Sequence, residues 1–165
     1  MILVAPPDGF VAPTQVMAPR RLTQRFPRLY PVAVKVFQVR RWMDWWRSDA
    51  RWVDRRAEEP LPAKVLVHNS LLMRELSADE MHLQRNKVVN LRLAAARTDA
   101  CLIGPGETFS FNRVVGNCTP GKGYVEGMRL TNGRAISGVG GGICQLANLI
   151  HWMVLHSPLT VVERS

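Results

Sequence analysis

The chain has 165 residues, 47% apolar and 21% charged, which suits one soluble domain able to bury a core without staples. Its cysteines, Cys101, Cys118 and Cys144, are odd in number and lack C-x-x-C spacing, which excludes a disulfide framework and a zinc ribbon and favours a reducing compartment. The net charge of +9 favours anionic partners, an acidic lipid surface or a phosphate-bearing substrate among them, although a basic surface also serves solubility.

The charge is spread along the chain. Residues 1–59 hold 11 Lys/Arg against 6 Asp/Glu, and residues 60–165 hold 11 against 7. No lysine block and no RNA- or DNA-binding motif is readable, so nucleic acid is not expected as a partner. The opening "MILVAPPDGFVAPTQVMAPRR" is no secretory signal, because its basic residues follow the weakly apolar stretch and prolines interrupt it. No apolar run reaches the roughly 20 residues needed to cross a bilayer.

Residues 1–19 are rich in proline and small residues, have no period, and are expected to be disordered. Met17 opens a stretch that looks like a more natural start. From Pro31 the pattern turns helical, with Val32, Val36, Val39, Met43 and Trp46 on one face. Lys35, Arg40, Arg41, Arg47, Arg51, Arg55 and Arg56 accompany Trp42, Trp45 and Trp52 around it. Such a helix can lie on an anionic membrane surface. The plainer reading docks it on its own domain, with tryptophans as core and arginines as a solvated rim.

"AKVLVHNSLLMREL" is apolar and partly β-branched, which predicts short strands with a turn near Asn69. Ser77 and Glu80 have the S-x-x-E spacing of a capping box, so a helix is expected from there to about Arg97. Met81, Val88, Leu91 and Ala95 lie on or near one face of it, and the Ala94–Ala96 run allows close approach of a neighbour. "CLIGPGETFSFNRVVG" predicts a strand, a turn at Gly104–Gly106 and a second strand in which Phe109 and Phe111 alternate with Ser110. A loop, "NCTPGKGY", precedes a hairpin turning at Asn132–Gly133. Then comes a glycine loop, Gly138–Gly142, a buried helix over 143–156 stopped by Pro158, and the start of a strand in "LTVVER".

The segment "GVGGGICQLANLIHW" carries the chemistry, if any is present. A glycine loop entering a helix presents backbone amides without side chains in the way, at the positive end of the helix dipole. A cysteine there has its thiolate stabilised, so its pKa can fall below the free value of about 8.5. The same amides can hold an oxyanion, and Gln145 could donate an amide N–H to it. Strand, glycine turn, cysteine and apolar helix is the order that papain-like and transglutaminase-like enzymes use. The plainer alternative is a cysteine that only packs and glycines that let two backbones cross.

A nucleophile also needs a base. His151 lies seven residues after Cys144, about 10 Å along the helix axis and beyond reach. His156 is farther, whereas His68 and His82 belong to other elements that folding could bring near, His82 more naturally on its helix surface.

"PGETFSF", "GVGGGICQ" and "VER" occur here in the order seen in the VanW family, and "FPRLYPVAVKVF", "LPAKVLVHNSLLMREL" and "NKVVNLRLA" extend the resemblance to roughly residues 20–165. The resemblance implies an accessory protein of glycopeptide (vancomycin) resistance or of the cell envelope, with no settled biochemical activity, and no cofactor or metal is expected. It places Gly140, Gly141, Gly142, Cys144 and Gln145 in the signature box, and Glu107 and Phe109 in the preceding one. Whether the protein is an enzyme stays open. Cys144 is the candidate nucleophile, Gln145 the candidate oxyanion donor, and the glycines, Glu107 and Phe109 are candidate binding residues. The alternative to an accessory role is a cysteine acyl transferase or amidase acting on peptidoglycan-type peptides. In the family the V-E-R strand continues into a histidine-rich stretch, whereas here Ser165 follows Arg164, which leads us to expect a C-terminally truncated chain.

The expected architecture is α+β: a small mixed or antiparallel sheet with about three main helices. It divides into a disordered segment over 1–19, a basic Trp-rich helical segment over 20–59, and a VanW-like domain over 60–165, incomplete at its C-terminus. A cell-wall precursor or an anionic membrane surface is the expected partner, and the expected location is cytoplasmic, peripheral at the membrane.

Overall fold

The structure is a computed structural model that describes residues 29–73, 77–131 and 134–163. It divides into two compact units, with the boundary between Asp49 and Ala50. The expectations for residues 1–19 and for the turn at Asn132–Gly133 lie outside the described residues.

The first unit contributes helix α1, Tyr30–Arg47, with a proline in its first turn and Arg47 in its last. Both favour the ends at which they sit, the proline because its missing N–H would be unpaired anyway. The stripe expected from the sequence is present but exposed: Val32 is 60% exposed, Val39 56% and Trp46 78%.

The second unit is α+β. Strand β1, Arg51–Trp52, pairs in parallel with β2, Glu107–Thr108. The contact continues as Val53 N–H donates to Thr108 O, Leu102 N–H to Arg55 O and Ala57 N–H to Ala100 O. Helix α2, Met81–Thr98, follows a single 3-10 turn at Ala78–Glu80. Its last turn is capped from outside: the Arg56 guanidinium donates to Ala96 O at 3.2 Å and Arg97 O at 2.7 Å. A cation at a helix C-terminus meets unpaired carbonyls and the negative end of the dipole together. Helix α3, Phe111–Val115, is short, and hairpin strands β3, Glu126–Thr131, and β4, Arg134–Val139, pair antiparallel from Glu126↔Val139 to Thr131↔Arg134. Helix α4 runs Cys144–Leu155.

The core is small. Ala94, Val115 and Tyr124 are buried, with Leu93, Phe111, Cys118, Val139, Ile143 and Leu146 packed around them. The alanine run of α2 does what its size permits: Ala94 is fully buried, so α3 and the hairpin approach the helix closely.

Five local expectations are corrected. Residues 63–73 form no strand: Val65, Val67 and Leu71 are exposed, and without a partner strand β-branched composition alone does not make a sheet. "SFNRVV" is a helix, because Ser110 acts as its N-cap, accepting from Arg113 N–H at 3.4 Å, and this local bond outweighs the Phe109/Phe111 alternation. The Ser77–Glu80 pair bonds side chain to side chain at 3.1 Å, not side chain to backbone as a capping box would. Helix α4 is only half-buried, with none of its residues fully enclosed, and residues 159–163 after it have no regular structure.

Candidate functional site

The site is built where β4 runs into α4. Beyond Val139 the backbone turns through Gly140, at φ 75°, and Gly142, at φ 92°, both in the left-handed region that side chains rarely adopt. Gly140 N–H donates to Val125 O and Gly141 N–H to Gly138 O, each at 3.0 Å. Space is the second constraint. A Cβ on Gly141 would lie 2.1 Å from the carbonyl of Gly127, one on Gly140 2.6 Å from Cys118 Cβ, and one on Gly142 2.1 Å from Lys87 Cγ. Three neighbouring elements therefore press on three consecutive glycines.

Asn90 of α2 holds this crossing together. It is fully buried. Its Nδ2 donates to Val125 O and to Gly141 O, both at 2.9 Å, while its Oδ1 accepts from Val125 N–H at 2.9 Å. One turn earlier, Asn86 Nδ2 donates to Glu126 O at 2.7 Å. The two asparagines stand four residues apart on one helix face and fasten the strand entering the hairpin and the turn leaving it to the same helix. Neither was singled out as a site residue from sequence. The signal was there in "NKVVN", where two polar residues at i and i+4 interrupt an apolar helix face.

Cys144 is the first residue of α4, and its side chain is exposed. The turn ahead of it is already winding: Gln145 N–H donates to Gly142 O and Leu146 N–H to Ile143 O, each at 3.0 Å. Two of the amides that an abruptly started helix would leave free are thereby occupied. The Gln145 side chain is also engaged, since its Nε2 donates to Leu71 O at 2.8 Å and to Ser70 Oγ at 3.3 Å. It anchors the irregular 63–73 segment to the start of α4.

The histidines gather elsewhere. Trp152 stacks with His68, at 3.9 Å between ring centroids, and with His156, at 4.0 Å, and His156 Nδ1–H donates to Trp152 O at 2.9 Å. Trp152 lies eight residues beyond Cys144, about 12 Å along the helix axis. His82 donates from Nδ1 to Asp79 O on the surface of its helix. Among the described residues no hydrogen bond joins a histidine to Cys144, and no group of three His, Cys, Asp or Glu side chains is gathered as metal ligands.

Glu107 is fastened inside its own turn. Its Oε2 accepts from Gly104 N–H at 2.8 Å and its Oε1 pairs with Arg55 at 3.1 Å. The Gly104 N–H, seconded by the Arg55 and Arg51 charges, holds its carboxyl below the usual range against a partial burial that acts the other way. Phe109 is half-buried next along the chain. The other perturbed pair is Cys118 and Tyr124: burial pushes the Cys118 thiol up, and burial together with the facing thiol pushes the Tyr124 phenol up.

Comparison with known proteins follows the same region. Residues 86–165 match the family described as "VanW like protein". The chain is 36% identical over 146 residues to "Vancomycin B-type resistance protein VanW" of Enterococcus faecalis, across 88% of this chain and 53% of that protein. It is 41% identical over 75 residues to "Uncharacterized protein YoaR" of Bacillus subtilis, across 46% of this chain and 25% of that protein. The chain thus spans about half the length of the first relative and a quarter of the second. No solved structure matches it.

Proposed function

The chain belongs to the VanW family, and from that premise we propose that it is an accessory protein of glycopeptide resistance or of the cell envelope. One observation carries the reading: identity of 36% to an enterococcal resistance protein runs across 88% of this chain. The structure supports a non-catalytic role for the signature glycines, each of which is accounted for by a close packing contact or a left-handed turn. The proposed partner is a cell-wall precursor of the peptidoglycan type. The proposed setting is cytoplasmic, where three free cysteines persist as thiols. Among the described residues no helix is long and apolar enough to cross a membrane.

The test is complementation. A host with a glycopeptide-resistance cluster from which the VanW gene has been deleted is supplied with this chain or with Cys144→Ser, and vancomycin susceptibility is measured. Restored resistance by both proteins is expected. No change with the unaltered chain overturns the accessory reading.

A second reading rests on the exposed thiol of Cys144 at the mouth of the glycine turn. In it the thiolate attacks a peptide carbonyl, the amine departs with a proton, and water or a second amine takes the acyl group from sulfur. That chemistry needs a proton acceptor. Turnover of a cell-wall precursor that Cys144→Ser lacks would establish this reading and displace the first.

A further inference from the structure

We propose that α1 docks on an anionic lipid bilayer surface, lying in the headgroup plane with its apolar stripe inward. The proposal stands on the helix itself and not on the family reading. At 100° per residue, Val32, Val36, Val39, Trp42, Met43 and Trp46 fall within an arc of about 120°. All six are exposed, from 43% at Met43 to 78% at Trp46. The half-buried positions, Ala33, Val34, Arg41 and Trp45, all fall outside this arc, and Phe37, 66% exposed, is the one large apolar side chain exposed on the opposite side among residues 32–47. An apolar face of that width, left in water along an 18-residue helix, calls for a cover.

The charges say which cover fits. Arg40 and Arg47 lie along one border of the stripe, Lys35 rises within it between Trp42 and Trp46, from where its long side chain can reach the headgroups, and all three are exposed. The one acidic residue of the helix, Asp44, falls beyond the Arg40 border. A second copy of this helix would set those cations against their own kind. An anionic headgroup layer instead pairs with them while the stripe enters the acyl boundary. Trp42 and Trp46 supply the amphipathic rings that settle at that depth. The helix does not fit a spanning role, because at 18 residues with five charged side chains it is neither long nor apolar enough.

The experiment uses the full chain in vesicle sedimentation, with phosphatidylglycerol–phosphatidylcholine vesicles against phosphatidylcholine alone, at low and high salt. Pelleting with the anionic vesicles, weakened by salt and absent with the neutral ones, is expected. Arg40→Glu/Arg47→Glu should lower the partition coefficient more than tenfold, at roughly fivefold for each unit of charge removed near the surface. Trp42→Ala/Trp46→Ala should do the same through lost insertion. Arg85→Glu/Arg92→Glu makes the same change in net charge on α2, and should leave most of the binding intact. Circular dichroism confirms that each variant keeps its helix content.

Three results would overturn the proposal: no lipid-dependent pelleting, equal pelleting with neutral vesicles, or an equal loss in the Arg85/Arg92 variant, which would reduce the effect to net charge. A dimer in sedimentation velocity that Trp46→Ala dissolves would also overturn it, assigning the stripe to a second copy.

Discussion

Gly141 and Gly127 cross with no space for a side chain on either. A Cβ added to Gly141 would lie 2.1 Å from the Gly127 carbonyl carbon and oxygen, and one added to Gly127 would lie 2.7 Å from Gly141 O. Backbone meets backbone here, so no flexible side chain can yield. The middle glycine of the signature box is therefore required by packing, before any question of chemistry.

Gly141→Ala and Gly127→Ala should each destabilise the fold by about 3 kcal/mol or more, as overpacking against an unyielding partner does. Gly121→Ala is the matched control, since nothing lies within 4 Å of a Cβ built there. Its effect should stay within about 0.5 kcal/mol. Urea unfolding midpoints compared across the three variants make the measurement.

Asn90→Ala should cost about 3 kcal/mol, because it strands the Gly141 carbonyl and the Val125 N–H in a buried place and leaves Val125 O with the Gly140 N–H alone. Asn90→Asp should not rescue it, since a carboxylate oxygen would face the Val125 and Gly141 carbonyls in place of the amide donor. Asn86→Ala, losing one more exposed bond, should cost about 1 kcal/mol. A rescue by Asp in equilibrium unfolding would show that the Nδ2 bonds do not matter.

Iodoacetamide should modify Cys144 well before Cys118. The first thiol is exposed at the start of α4, whereas the second is half-buried against Gly140, with burial pushing its pKa up. Mass spectrometry of peptides from a short labelling time reads the order. Equal labelling would mean that the glycine turn does not shield Cys118.

Glu107→Gln should change how stability responds to acid. The folded carboxyl sits below its ordinary value of 4.5, held there first by Gly104 N–H. Its contribution is therefore complete above that pH and is lost as pH falls through the depressed value. The wild type should be the more stable protein near neutrality, and the two stability curves should converge at low pH. Parallel curves down to acid would contradict the Gly104 and Arg55 bonds.

Gln145→Ala should free the 63–73 segment without unfolding the domain, since only the bonds to Ser70 and Leu71 are lost. Limited proteolysis near Leu71 should quicken while the urea midpoint moves by less than about 1 kcal/mol. An unchanged cleavage rate would mean that the segment is held by other contacts.

The parts of this protein that can be read along the chain are those whose causes are local. Helices α1, α2 and α4 follow from 3.6-residue apolar spacing, with a proline in the first turn of α1, and the paired strands β3 and β4 follow from two neighbouring runs of strand formers. The glycine box and Cys144 could be picked out in the same way, and Cys144 does open a helix behind that box. Residues 109–115 show where this stops: alternation favoured a strand, and one Ser110 cap settled a helix.

What the tertiary structure alone decided is what the signature residues touch. Asn90 reaches residues 35 and 51 positions away, Gln145 reaches back 74 and 75, and Gly141 meets Gly127 across the hairpin. No local pattern encodes such partners, because the chain brings them together only after α2, the hairpin and α4 have packed. Amino-acid order determined the helices, the turns and the family. Packing determined that the glycines serve a backbone crossing, that Gln145 holds a neighbouring segment, and that the Cys144 thiol faces solvent.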